Sequence, residues 1–136
     1  MEAPKAYSLG KEYKLCSIKE IEALFETGEF IKKYPLKLVY KKQALEKTNA
    51  KPLQMVFSVP KRIQKHATDR NKIKRILREA IRFQRHSLEK FLLEKETKLN
   101  LMIIYIDRQE IPFAVLERKI TKLFDELIKQ LSNEIQ

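Results

Sequence analysis

A single cysteine, Cys16, occurs in 136 residues, so no intrachain disulfide can form and no thiolate cluster can hold a metal. The expected place for it is a half-buried, chemically idle one. Histidine is almost as scarce. His66 and His86 are the only two, one in a basic stretch and one near the far end of a long helical pattern, which leaves no evident general acid and base pair. Acidic residues do not gather at two-metal spacing; they lie mostly at 12–46 and 79–134, each readable as a surface partner for a lysine. No catalytic residue and no metal ligand is therefore nominated, and the chain is not expected to catalyse a reaction by itself. There is no run of the ~18 to 20 apolar residues that a membrane span requires, and the opening MEAPKAYSLGKEYK has no apolar core of the signal-peptide kind. A cytoplasmic protein without membrane attachment is the expectation. Internal repeats and low-complexity segments are missing as well.

What the chain does have is a core and a large excess of positive charge. Hydrophobic residues make up 43% of it, enough at this length for one domain. The net charge of +11 is unevenly placed: residues 1–60 hold 11 lysines against 7 glutamates, residues 61–86 hold 10 cations against 2 acids, and residues 87–136 hold 8 against 9. Five arginines fall between 62 and 82, with Arg85 just after, and the guanidinium fork matches phosphate geometry. A concentrated basic segment attracts polyanions, chiefly nucleic acid, with a membrane surface as the weaker reading.

The coarse order is a helix, strands, a long helix, a strand and a last helix. Ser17 is placed to cap a helix running through Phe25, with Glu20 three residues on and Gly28 as a stop. Residues 35–42 (PLKLVYKK) and 53–59 (LQMVFSV) read as strands, expected to pair as antiparallel neighbours across the polar ALEKTNAKP. The basic loop PKRIQKHAT follows, and then a long helix that Thr68 or Asp69 can cap, continuing through SLEKFLLEKE. LNLMIIYI, 99–106, reads as a strand buried on both faces. Pro112 marks the start of a terminal helix whose stripe is Leu116, Ile120, Leu123, Phe124, Leu127 and Leu131.

The stretch DRNKIKRILREAIR, residues 69–82, carries six cations. At about 100° per residue from Arg70, Ile73, Ile76, Leu77, Ala80, Ile81 and Phe83 fill an arc from about 220° round to about 20°. Asn71, Lys74, Arg75, Arg78, Arg82 and Arg85 fill about 40° to 140° beside it, with Glu79 outside. Either the cations form a solvated face or they are aimed at something anionic. A solvated face mixes signs at i to i+4, and this flank hardly does.

The run FSVPKRIQKHATDRNKIKRILREAIR, Phe57 to Arg82, resembles the signature of the protein component of bacterial ribonuclease P: a strand ending in S-V-x-K-[KR], a loop, and a helix opening on Arg-Asn-basic with K-R three residues later. KLCSIKEIEALFETGEF and YPLKLVY are similar to the family's first helix and first strand, and the resemblance covers about residues 9 to 131. It implies an α/β fold, a two-layer α+β sandwich of the ribosomal-protein S5 domain 2 type, with a four-stranded sheet and a left-handed βαβ crossover. One RNA-binding domain would span 1–136, with 1–8 and 132–136 as flexible tails. In that family a large RNA is the catalyst and holds the metal, Mg2+, so the protein binds no cofactor of its own; it helps remove the 5′ leader from precursor tRNA. The partners implied are ribonuclease P RNA and precursor tRNA, the free protein being a monomer. Carried onto this chain, Lys61, Arg62, Arg70, Asn71, Lys72, Lys74, Arg75 and Arg78 would face the catalytic RNA. Ile21, Phe25, Val39 and Ser58 would line a cleft for the single-stranded leader, where basic and aromatic groups suit phosphates and base faces.

Three positions depart from the family pattern. Lys72 stands where a second arginine is usual, which keeps the charge but not the fork. Ile21 and Val39 replace common aromatics, so leader stacking would rest on Phe25, for which core packing is the competing role. From another class, a structural RNA-binding protein such as a ribosomal protein or RNA chaperone has the same composition and differs only in the motif.

Overall fold

In a computed structural model of the chain, residue 15 and residues 18–44 and 52–134 are described. They form α1 (Ile18–Thr27), β1 (Glu29–Lys33), β2 (Leu36–Ala44), β3 (Leu53–Ser58), α2 (Ala67–Glu94), β4 (Thr97–Tyr105) and α3 (Phe113–Glu134). Ser17, Cys16, the 45–51 connection and residues 1–8, 135 and 136 lie outside the described residues.

β4 decides the architecture. Its residues TKLNLMIIY are almost all buried, and a strand apolar on both sides needs a neighbour along each edge and cover on each face. It takes the inner place it requires: the strand order is β1-β2-β4-β3. β2 pairs with it antiparallel from Leu36↔Tyr105 to Ala44↔Thr97, and β3 pairs with it parallel from Leu53↔Leu99 to Ser58↔Ile104. The expected antiparallel pairing of β2 with β3 is thus wrong, because β4 lies between them. α2 is the crossover that a parallel β3–β4 pair demands. β1 escapes sequence reading because only Ile31 of its five residues is buried. It pairs with β2 across the Tyr34–Pro35 turn.

One face of the sheet carries the main core. Leu36, Leu38, Tyr40, Leu53, Met55, Leu99, Leu101, Ile103 and Tyr105 meet Ile73, Leu77, Ala80, Ile81, Leu88 and Leu92 of α2 and the stripe of α3. All six stripe residues of α3 are buried, as the spacing predicts. Val115 and Leu116 donate their amides to Pro112 O, placing the proline at the start of α3. The helix runs on to Glu134, where its carboxylate accepts from Lys42 Nζ at 2.8 Å and Tyr40 Oη at 3.3 Å. Residues 132–134, expected as part of a tail, are helical and held. Burial, with hydrogen bonding and charge from Glu29 and Glu134, pushes the Tyr40 phenol well above its ordinary pKa, so it stays a neutral donor.

Among the described residues, the opposite face is covered by α1 and Leu15. Leu24 packs there on Leu15, Val39 and Met102, with Ile21, Val56 and Ile104 half-buried around them. α1 ends where Gly28 donates to Leu24 O at 3.1 Å. A Cβ at Gly28 would lie 2.3 Å from Leu24 O and 2.9 Å from Val39 Cγ1, so backbone must move to admit it. Gly28→Ala should therefore destabilise the fold by about 2 kcal/mol, in the usual range for overpacking. Urea unfolding would show a lower midpoint at unchanged slope; an unshifted midpoint would mean that this end of α1 yields freely.

Candidate nucleic-acid interface

α2 begins earlier than its sequence cues suggest. The N-cap is His66, in extended conformation and without a side-chain cap bond, and Arg70 N donating to His66 O at 3.1 Å starts the ladder. Thr68 and Asp69 are therefore inside the first turn rather than caps. Asp69 still puts an acid at the positive end of the dipole. Ahead of the helix, Ile63 N and Gln64 N both donate to Pro60 O, making a tight turn that leaves Lys61 and Arg62 exposed.

Arg70 joins the turn to the helix. Its Nη1 donates to Gln64 O at 3.0 Å and Lys65 O at 2.9 Å, so this half-buried residue orients the basic loop as well as adding charge. Lys72 is exposed and pairs with Glu110 at 3.3 Å. Asn71, Arg75 and Arg78 are exposed and Lys74 half-buried. The Arg78 guanidinium sits 5.8 Å from the Phe57 ring centroid, a cation–π distance that steadies it against the sheet. Lys61, Arg62, Lys74 and Arg75 make no ion pair within the described residues. The flank is less uniform toward its end: Arg82 pairs with Glu79 at 2.7 Å, and Arg85 leaves the surface altogether at 1% exposure, paired with Glu89. Placing Arg85 on the cationic flank is the error of a wheel drawn for the first turns. Gln84 Nε2 donates to Glu117 O of α3 at 3.0 Å, and beyond it Arg85 joins Leu88 and Leu92 among the buried residues.

The other surface is the groove beside α1. Phe25 is 67% exposed on the last turns of α1, which removes core packing as its role. Ile21 is half-buried, Val39 lies buried beneath Leu24, and Ser58 ends β3, half-buried and on the same face as Val56. Lysine amines border this face: Lys41 donates to Thr27 Oγ1 at 3.0 Å, and Lys98 lies 3.7 Å from Glu20. Sequence reading missed Asn100. It is 1% exposed, opposite Lys41 and Gln54 in the register, and its Oδ1 has no hydrogen-bond partner among the described residues. A lone amide inside the apolar run LNLMIIY is the signal that marks it.

A sequence profile described as Ribonuclease P matches residues 9–128. The chain belongs to the ribonuclease P protein family. It is 30% identical over 122 residues to the ribonuclease P protein component of Porphyromonas gingivalis, covering 90% of this chain and 88% of the relative. It is 34% identical over 113 residues to that of Chlorobium phaeobacteroides, covering 76% of each. Among solved structures it is similar in fold to the Staphylococcus aureus RNase P protein, with TM-score 0.60 and 14% identity over 91% of this chain and 98% of that one. The RNase P protein from Thermotoga maritima gives TM-score 0.60 and 16% identity over 83% and 96%.

Family membership decides between the two classes that composition left open: this is a subunit of the ribonuclease P holoenzyme in tRNA processing, and its partner is ribonuclease P RNA. Among the described residues no three of His, Cys, Asp and Glu stand together as a metal site, and no helix is long and apolar enough to cross a membrane.

Proposed function

We propose that this ribonuclease P protein uses the two faces of its sheet for two RNAs: the start of α2 and the Lys61–Arg62 turn for ribonuclease P RNA, and the α1 groove for the 5′ leader of precursor tRNA. The observation that carries this reading is the Ser58–Lys61 connection. Ser58 closes the groove side of β3, and only Val59 and Pro60 separate it from the basic turn. A leader leaving the groove at Ser58 meets that turn at once. In this reading Mg2+ and the cleavage chemistry belong to the RNA, while the protein supplies charge against phosphate repulsion and a stacking ring for an unpaired base. It acts in the cytoplasm, as a monomer until it meets the RNA.

Cleavage of precursor tRNA by ribonuclease P RNA at low magnesium tests this directly. Added protein should accelerate it, and protein alone should leave the substrate intact. Phe25→Ala should weaken precursor tRNA binding by the holoenzyme about tenfold, in line with ~1 to 3 kcal/mol per stacked base. Mature tRNA binding and the melting temperature should not change, because the ring is exposed. Equal weakening for both tRNAs would place Phe25 outside the leader site.

A further inference from the structure

The acid-balanced C-terminal third of the chain hides a charge separation that the fold makes visible. Between 113 and 122, α3 carries Arg118, Lys119 and Lys122 against Glu117; between 123 and 134 it carries Lys129 against Asp125, Glu126 and Glu134. The cationic half lies against the β1–β2 turn. There, Lys33, Tyr34, Val115, Arg118, Lys119 and Lys122 line a hollow of about 380 Å³. No carboxylate is among these lining residues, but two stand at the rim: Glu126 pairs with Lys33 at 3.4 Å, and Asp107 accepts from the Tyr34 phenol. Tyr34 is 58% exposed. With Lys33 offset by Glu126, Arg118, Lys119 and Lys122 leave the concavity a positive excess that an anion would relieve.

We propose that this hollow is a second phosphate-binding site, which takes the backbone of ribonuclease P RNA where that RNA continues past the start of α2. The loop between β4 and α3 supports the choice of partner, since it touches both basic regions. On one side Ile106 N donates to Pro35 O at 2.8 Å, at the turn that carries Lys33 and Tyr34. On the other, Gln64 Nε2 donates to Arg108 O, and Glu110 pairs with Lys72 at 3.3 Å. The two cationic surfaces are thus separated by one short loop. A structured RNA presents phosphates at regular intervals and can meet both. A leader held in the α1 groove lies on the opposite face of the sheet, away from α3.

The test is binding of the full chain to ribonuclease P RNA over a range of salt, with the triple variant Lys33→Ala, Arg118→Ala, Lys122→Ala. Affinity should fall about tenfold or more, and the slope of log affinity against log salt should flatten by roughly two units or more, at a little under one per phosphate contact on a duplex-like site. The charge-preserving pair Arg118→Lys, Lys122→Arg should retain both. Lys129→Ala, which removes one cation from the other half of α3, should bind as the parent does. Thermal unfolding of each variant is measured alongside, and Arg118→Glu alone repeats the test should the triple variant unfold. If ribonuclease P RNA binding is unchanged and only precursor tRNA binding by the holoenzyme weakens, the assignment to the catalytic RNA is overturned. If neither changes while Arg75→Ala does lower RNA affinity, the hollow is solvated surface and the α2 interface stands without it.

Discussion

Replacing Arg75 and Arg78 together by alanine should weaken binding to ribonuclease P RNA about a hundredfold while leaving the melting temperature within a few degrees. Both side chains are exposed on the flank beside the buried arc of α2, so the substitutions open no cavity, and alanine favours a helix. Each guanidinium lost removes a charge-assisted bond to phosphate worth ~1.5 to 3 kcal/mol, and two of them reach roughly two powers of ten. Fewer counterions are then released on binding, and the salt slope should flatten by roughly one to two units. Arg70 would be a poorer choice for this measurement. It also holds Gln64 O and Lys65 O, so its loss disturbs the loop together with the charge. A double variant that folds normally and binds with the parent's affinity and slope would reduce the flank to a solvated helix face.

The second large effect concerns stability. Glu89→Ala should lower the unfolding free energy by about 3 kcal/mol or more, with a fall in melting temperature on the order of 10 °C. The Arg85 side chain is 2% exposed and Glu89 14%, and guanidinium cannot shed its proton to escape burial. Without Glu89 the cation stays in the interior without its carboxylate, and the desolvation already incurred is no longer offset. Arg85→Met should cost distinctly less, because it removes the buried charge, fills similar volume with an apolar chain, and leaves the partly wetted Glu89 able to hydrate. Denaturant unfolding of the two variants checks the ranking. If Arg85→Met proves as damaging as Glu89→Ala, the site depends on the arginine's other contacts rather than on charge compensation.

Features written in local periodicity were legible in the sequence. The stripe from Leu116 to Leu131, the doubly buried β4 and the exposed polar flank of Asn71, Arg75 and Arg78 follow from spacing alone. Family resemblance brought the Ribonuclease P assignment, on a motif that falls within the matched residues 9–128. What spacing could not carry was anything set by distant partners. β2 and β3 are adjacent in sequence, yet the apolar demand of β4 draws it between them. β1 has one inward residue and no alternation long enough to detect. Arg85 obeys the wheel in angle, yet it is buried and paired with Glu89, a burial set by tertiary packing that the wheel does not contain. Lys33 and Arg118 form one hollow from opposite ends of the chain, and the near-zero charge of residues 87–136 concealed half of it.

The inner place of β4 also has a meaning in time. Ribosomes deliver a chain from its N-terminus, and here the strand to which both β2 and β3 bond spans Thr97–Tyr105. Until residue 105 has emerged, the β1–β2 hairpin and β3 have no common neighbour, and a nascent segment with 21 cations from residues 1–86 waits without a finished sheet. Long-range pairing of this kind is slow to form, and exposed strand edges invite misassociation while it is pending. The same polycationic segment repels its own copies, which keeps neighbouring nascent chains apart during that interval. Charge that serves RNA in the finished protein thereby protects the unfinished one.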